Sequence, residues 1–293
     1  MIDRVGVIGA GQMGLGIAAS AARAGLRTGV HDIDPAREAL ACDAGLEIFA
    51  SPADVGRRCQ VIVVVVIDAG QIEQVLDGPE GLLGALSPGA VVLFCSTIAP
   101  ADAARFCASV AATGAMALDA PISGGPARAL AGTMSIMLAG AADALRVAEP
   151  LLEAVAGRRF LLGEQPGDAS RAKLVNNLMA GIHLMAAAEA VALAERLGLD
   201  PALITELVGA SSGQSWMADD RLPRALAGDL EPRAQSHVLA KDVRLANEAA
   251  RDAGVELPLG CVAGALFERL CEGEWRHLDD ASALAFYRRR FGG

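Results

Sequence analysis

Lys173 lies in the run GDASRAKLVNN, Gly167–Asn177, which opens the most apolar helical stretch of the chain, LMAGIHLMAAAEAVALA. At about 100° per residue, Asn177 falls about 40° around the helix from Lys173 and Asn176 about 60° to the other side. The three therefore form one polar stripe on a segment with almost no water-facing side. Burial disfavours the charged form of a lysine, which lets the amine give and take a proton near neutrality. The competing reading is a buried lysine paired only with structural carbonyls, a placement that is costly without a partner or a function.

A second group of residues suits a dinucleotide. The run RVGVIGAGQMGLGIAASAARAG puts Gly9, Gly11 and Gly14 between a strand and a helix, with Gln12 and Met13 at the turn into the helix. Gly9 permits a tight turn, Gly11 lets a pyrophosphate approach the backbone, and Gly14 lets helix and strand pack closely. The helix N-terminus offers its free N–H groups to the phosphates. The alternative is an ordinary strand–turn–helix connection. The next strand ends in TGVHDID, where Asp32 stands 18 residues past Gly14. A carboxylate there accepts hydrogen bonds from ribose hydroxyls and repels a 2′-phosphate, so NAD is expected in preference to NADP. Arg37 either softens that preference or is a solvated helix-face residue. His31 reads as a strand-end residue rather than a metal ligand, since no partner has ligand spacing, and no metal is expected.

The third group faces a substrate. In DAPISGGPARALAGT, Ser123, Gly124 and Gly125 stand in a row after a strand. Consecutive glycines allow successive N–H groups to converge on one point, and a hydroxyl adds a donor, an arrangement that suits a carboxylate. A tight turn leading into the next element explains the same residues. Ser96 and Thr97 of CSTIAP end another strand, where they either reach a nicotinamide or cap the following helix.

These residues need a frame. Strands are predicted at 4–8, 27–31, 47–49, 61–67, 90–95, 115–118, 134–139 and 159–162, with helical patterns between most of them. That alternation implies a doubly wound, mainly parallel α/β sheet of Rossmann type. From Gly167 onward the pattern is helical only, near 168–197, 201–209, 215–227, 237–253, 259–271 and 281–290. The turn-rich GEQPG, Gly163–Gly167, marks the boundary between a dinucleotide-binding domain, 1–163, and an all-α C-terminal domain, 164–293, for substrate and assembly. The long interdomain helix, 168–197, would span roughly 45 Å at 1.5 Å per residue. Apolar on most sides, it should be covered all round by both domains or a second subunit, which points to a homodimer or homotetramer.

Composition narrows the classes. The 293 residues, 53% hydrophobic and 20% charged, describe an ordered globular protein, and a net charge of −10 speaks against nucleic acid or an anionic membrane as partner. VIVVVVI is too short to span a bilayer and reads as a buried central strand. The first apolar run is broken by glycines, unlike a signal peptide. Six scattered cysteines show no CxxC spacing and suit free thiols in a cytoplasmic protein.

The blocks GVIGAGQMGLGIA, CSTIAP, DAPISGGPARALAGT, GDASRAKLVNNLMAG and LAKDVRLANEAA occur in this order over nearly the whole chain. Together they resemble the 3-hydroxyacid dehydrogenases, the group of 3-hydroxyisobutyrate dehydrogenase and tartronate semialdehyde reductase. The resemblance implies Lys173 as catalytic acid/base, Asn177 as a substrate-holding residue and Ser123, Gly124 and Gly125 as the carboxylate site. Lys241, in LAKD, looks like the lysine that reaches toward cofactor and active site. LEAVAGRRFLLGEQPG and SSGQSWMADDR look most like the L-threonate dehydrogenase branch, in which Trp216 and Met217 line the acyl pocket unless they serve the core. The family often carries Leu-Pro after its fourth main strand, whereas here Val66-Ile67 precedes Asp68; the resemblance implies Val65 and Val66 as cofactor contacts at that strand end. The aromatic that precedes KD in many members is missing from RAQSHVLAKD. The implied activity is nicotinamide-dependent oxidation of a short 3-hydroxy acid, or the reverse. The alternatives are an imine reductase, although those relatives usually replace this lysine, and a noncatalytic NAD-binding sensor.

Overall fold

The computed structural model describes residues 4–292 and divides into two compact units, Met1–Lys173 and Leu174–Gly293. In the first unit β1 (Arg4–Ile8), α1 (Gln12–Arg23), β2 (Arg27–His31), α2 (Pro35–Asp43), β3 (Glu47–Ile48), α3 (Pro52–Arg58), β4 (Val61–Val64), α4 (Ala69–Asp77), β5 (Val91–Phe94), α5 (Pro100–Ala111) and β6 (Met116–Asp119) alternate along the chain. They are followed by β7 (Ile122–Ser123), α6 (Gly125–Ala131), β8 (Met134–Ala139), α7 (Ala142–Val155), β9 (Ala156–Gly163) and α8 (Asp168–Arg196), which runs on into the second unit. The strand order is β3-β2-β1-β4-β5-β6-β8-β7, with β9 also paired to β8. The pairs from β3 to β6 are parallel, whereas β8 runs antiparallel to β6 and β7.

Both faces of the parallel strands are covered, as expected for near-continuous runs of Val, Ile and Leu. On β4, Val61 and Val63 enter one core with Ile17, Ala21 and Leu151. Ile62 and Val64 enter the opposite core with Val55, Ile72 and Phe106. The strand is shorter than the 61–67 apolar run. Past Val65, whose N–H still donates to the Ile8 carbonyl, the Ile67 N–H donates to the Gln71 side chain and Asp68 caps α4. The start of α4 has taken the backbone groups a longer strand would need. The two-residue β7 and the short α6 have no sequence period of their own and were not predicted as elements.

The second unit contains α9 (Pro201–Gly209), α10 (Trp216–Leu226), α11 (Ser236–Asp252), α12 (Pro258–Cys271) and α13 (Ala283–Arg290). Its core joins Leu184, Met185, Ala188, Val191 and Ala192 of α8 to Val243, Phe267 and Tyr287. By length and composition α8 could cross a membrane, yet this stripe packs into protein, which accounts for its apolarity. Within one chain, Val175, Met179 and Leu193 of this helix are 64%, 49% and 52% exposed, the side that the sequence reading left to a second subunit or the other domain.

Candidate active site

The glycine-rich turn assembles between β1 and α1. Gly9 has φ 98°, which L side chains rarely adopt, and its N–H donates to the His31 carbonyl. A Cβ on Gly9 would lie 2.6 Å from the Val65 carbonyl oxygen and 3.2 Å from Val66 Cγ1, so both valines stand against the turn. A Cβ on Gly14 would lie 1.8 Å from the Gly9 carbonyl oxygen, so the protein's own packing demands glycine there. Gly11 differs. It caps α1 with φ −61°, and a Cβ built on it meets nothing within 4 Å. Neither conformation nor packing requires glycine at that position, and it stands at the helix N-terminus, where free N–H groups could hold a dinucleotide phosphate. Gln12 and Met13 open α1.

Asp32 is tied to this turn. Its Oδ2 accepts the Ala10 N–H at 2.6 Å and its Oδ1 accepts the Asp34 N–H at 2.9 Å. Glu38 Oε1 accepts the Asp32 N–H at 3.3 Å. His31 is a strand-end residue whose Nδ1 lies 3.0 Å from the Phe49 carbonyl. At the end of β5, the Ser96 hydroxyl donates to the Val66 carbonyl at 2.7 Å, linking two strand ends beside Thr97. Neither Ser96 nor Thr97 caps the following helix, because the cap of α5 is Ala99. Next to Ser96, burial pushes the Cys95 thiol up to about 12. Among the described residues no group of three or more His, Cys, Asp or Glu could hold a metal ion.

Ser123 ends β7, paired with Ser135 of β8. Gly124 and Gly125 follow with φ 128° and 74°, and Gly125 opens α6. The two glycines therefore also turn the chain directly into that helix. A Cβ on Gly124 would lie 2.8 Å from Arg128 Cδ, so the arginine stem folds back over the turn.

Lys173 and Asn177 are 6% and 8% exposed, one helical turn apart on α8. Asn176 is exposed, but its amide donates to Asn177 Oδ1 at 2.9 Å. Asn177 Nδ2 donates to Asp242 Oδ2 at 2.5 Å, and Lys241 Nζ lies 2.9 Å from Asp242 Oδ1. Close helix packing makes this possible: a Cβ on Gly181, one turn past Asn177, would lie 2.4 Å from Val243 Cγ2. With both ends of its side-chain amide engaged, Asn177 is held in one orientation. Trp216, 48% exposed at the start of α10, has the Arg221 guanidinium 5.5 Å from its ring centroid, while Met217 is buried in the helical core. Arg221 is itself bound to Asp280, whose carboxyl burial pushes up to about 6.

Two acids, one in each unit, are not singled out by the sequence. Asp242 is visible only as the neighbour of Lys241 in KD. Asp119, the first residue of DAPISGG, is 1% exposed and accepts hydrogen bonds from Gly167, just before α8, and from Ser170 in its first turn.

The chain is similar to known proteins along nearly its whole length. Residues 4–163 match the sequence model of the NAD binding domain of 6-phosphogluconate dehydrogenase. Residues 167–287 match that of the NAD-binding region of NADP-dependent 3-hydroxyisobutyrate dehydrogenase. An L-threonate dehydrogenase of Cupriavidus necator is 38% identical over 98% of this chain and 97% of its own. The crystal structure of a 3-hydroxyisobutyrate dehydrogenase from Salmonella typhimurium superposes with a TM-score of 0.91 at 34% identity, over 97% of this chain and 99% of that one. An imine reductase from Pseudomonas sp. shares only the fold, with a TM-score of 0.62 at 20% identity over 97% of this chain and 99% of that one.

Proposed function

Because the chain belongs to the 3-hydroxyacid dehydrogenase family, 3-hydroxyisobutyrate dehydrogenase-like, we propose that it oxidises a short 3-hydroxy acid of the L-threonate type, or reduces the matching 3-oxo acid. Glycerate and 3-hydroxyisobutyrate belong to the same substrate class. The observation that carries the proposal is the buried amine of Lys173 one turn before Asn177, whose amide is fixed by Asp242. A proton-transfer group needs a defined partner geometry and exclusion of bulk water, and this pair has the burial and the anchoring for it.

A bound nicotinamide supplies the hydride acceptor for the carbinol carbon. Lys173 takes the hydroxyl proton during oxidation and returns one during reduction. Asn177 orients the hydroxyl. Ser123, Gly124 and Gly125 receive the substrate carboxylate, and Trp216 borders the acyl end. Orientation of this kind can supply ~7 kcal/mol or more of barrier reduction. The dinucleotide would be held by Gly9, Gly11, Gln12, Met13 and Gly14, with Val65, Val66 and Thr97 along the strand ends; the family resemblance adds Lys241.

NAD is the preferred dinucleotide in this reading. Its support is Asp32, anchored on the glycine-rich turn with Asp34 and Glu38 beside it, a negative surface for a 2′-phosphate to meet. The nucleotide-binding part is residues 1–163 and the substrate and assembly part 164–293 in this reading; the end of the last strand at Gly163 supports the division, while the start of α8, up to Lys173, packs with the first unit. Homodimers or homotetramers are supported by the exposed Val175, Met179, Leu203 and Leu207. The six unpaired cysteines support a cytoplasmic location.

The test is a panel of L-threonate, 3-hydroxyisobutyrate, L-serine and glycerate assayed with NAD and NADP by nicotinamide absorbance. Turnover of at least one acid with NAD is expected. Tight NAD binding without turnover of any panel member would instead favour a noncatalytic sensor.

A further inference from the structure

We propose that Asp119 is a positioning residue for Lys173, acting as a carboxylate clamp on the first turn of α8; the inference rests on the dehydrogenase reading above. Asp119 ends β6, the strand that leads through Ala120 and Pro121 into β7 and Ser123. Its Oδ2 accepts the Gly167 N–H at 2.8 Å and the Ser170 N–H at 2.9 Å, and its Oδ1 accepts the Ser170 hydroxyl at 2.7 Å. These donors lie six and three residues before Lys173, within the turn that feeds it. One carboxylate at the root of the Ser123–Gly125 segment thus sets both the axial and the rotational position of the helix that carries the amine.

The site is built for this contact. Gly167 adopts φ 105°, which turns its N–H out of the approaching loop before the helix begins. Ala169 is fully buried against Met137 and Ala139 of β8, with Ala172 beside them, so the apolar side of the turn rests on the sheet. Packing of alanines alone fixes rotation poorly, because a methyl tolerates sliding along an apolar surface. The directional bonds to Asp119 supply what the alanines do not. A carboxylate suits the place, since it accepts several N–H and O–H bonds at once and sits at the positive end of the helix dipole.

Small errors here are amplified. A rotation of about 10° moves a group ~6 Å from the helix axis by ~1 Å. A misplacement of about 1 Å can cost about 100-fold in rate. A merely structural aspartate would change how much enzyme folds but not the rate of each folded site.

The experiment therefore measures kcat per NAD-binding site, together with KM for NAD, in wild type, Asp119→Ala, Asp119→Asn and Ser170→Ala. Asp119→Ala is expected to lower kcat by about 10- to 100-fold with KM for NAD within twofold of wild type. Asp119→Asn should recover most of that loss. Its Oδ1 can accept the two N–H groups while its amide donates to the Ser170 hydroxyl, keeping the clamp without the charge. Ser170→Ala, which removes one bond and little volume, should lower kcat about three- to tenfold. Wild-type kcat per site in Asp119→Ala overturns the inference, and if that variant does not fold, a kcat within 1.5-fold of wild type in Ser170→Ala overturns it as well. Absence of turnover in wild type on every acid of the panel overturns the dehydrogenase reading instead, so the two failures are distinguishable.

Discussion

Gly11→Ala separates a glycine kept for a ligand from one kept for the fold. A Cβ at position 11 meets no atom within 4 Å, and φ there is −61°, an ordinary value for any residue. The cost to the apoprotein is then only the exchange of glycine for alanine at a helix cap, about 0.5–1 kcal/mol. For a chain of this size that amounts to a fall in Tm of less than ~4 °C. If Gly11 leaves room for the pyrophosphate, the added methyl takes that room, and Kd for NAD should rise at least tenfold, about 1.4 kcal/mol. Gly14→Ala is the contrast. Its Cβ would lie 1.8 Å from the Gly9 carbonyl oxygen and 3.0 Å from Val65 Cγ1, a backbone conflict that cannot relax by rotamer change. It should lower Tm by more than Gly11→Ala does, in line with overpacking costs of about 1–3 kcal/mol. Thermal melts with and without NAD, alongside calorimetric titration, measure both effects. A Gly11→Ala protein that binds NAD within twofold of wild type would refute the ligand argument.

Further outcomes follow from the same geometry. Asp32→Ala removes the carboxylate expected at the ribose and should shift the NAD to NADP ratio of kcat/KM toward NADP by at least tenfold; an unchanged ratio counts against that assignment. Asp242→Ala leaves Asn177 and Lys241 without their shared buried partner. It should destabilise the protein by about 3 kcal/mol in chemical denaturation and lower kcat/KM at least tenfold, the stability cost being that of breaking a buried pair. The exposed Cys42 and Cys261 should react with a disulfide reagent at neutral pH. Cys59, Cys95 and Cys107, whose thiols burial pushes up to about 12, should react only on unfolding.

Period and glycine placement made the parallel strands and the dinucleotide turn legible, because each depends on a short, contiguous run of residues. Arg4–Ile8, Arg27–His31 and Met134–Ala139 have the predicted bounds. β4 stops short of its apolar run because the competition was with the cap of α4, a contact the run itself does not encode. Hydrophobic patterning also marked Lys173 and Asn177, since polar residues are conspicuous on an apolar helix. Asp119 and Asp242 were harder to see. Their partners lie 51 and 65 residues away, at Ser170 and Asn177, and an aspartate at a strand end or beside a lysine looks in sequence like any solvated acid. What covers the outer side of α8, where Val175, Met179 and Leu193 are exposed in one chain, was not legible, because apolarity reports that a surface is to be buried without saying by what.

The role of Lys173 is tested most directly by kcat of Lys173→Ala, measured with a hydroxy acid that wild type turns over and referenced to sites that bind NAD. Loss of turnover by at least 100-fold is expected, the scale of acid–base catalysis, with Kd for NAD within twofold of wild type. A variant that turns over at near wild-type rate, with NAD bound as before, would contradict it.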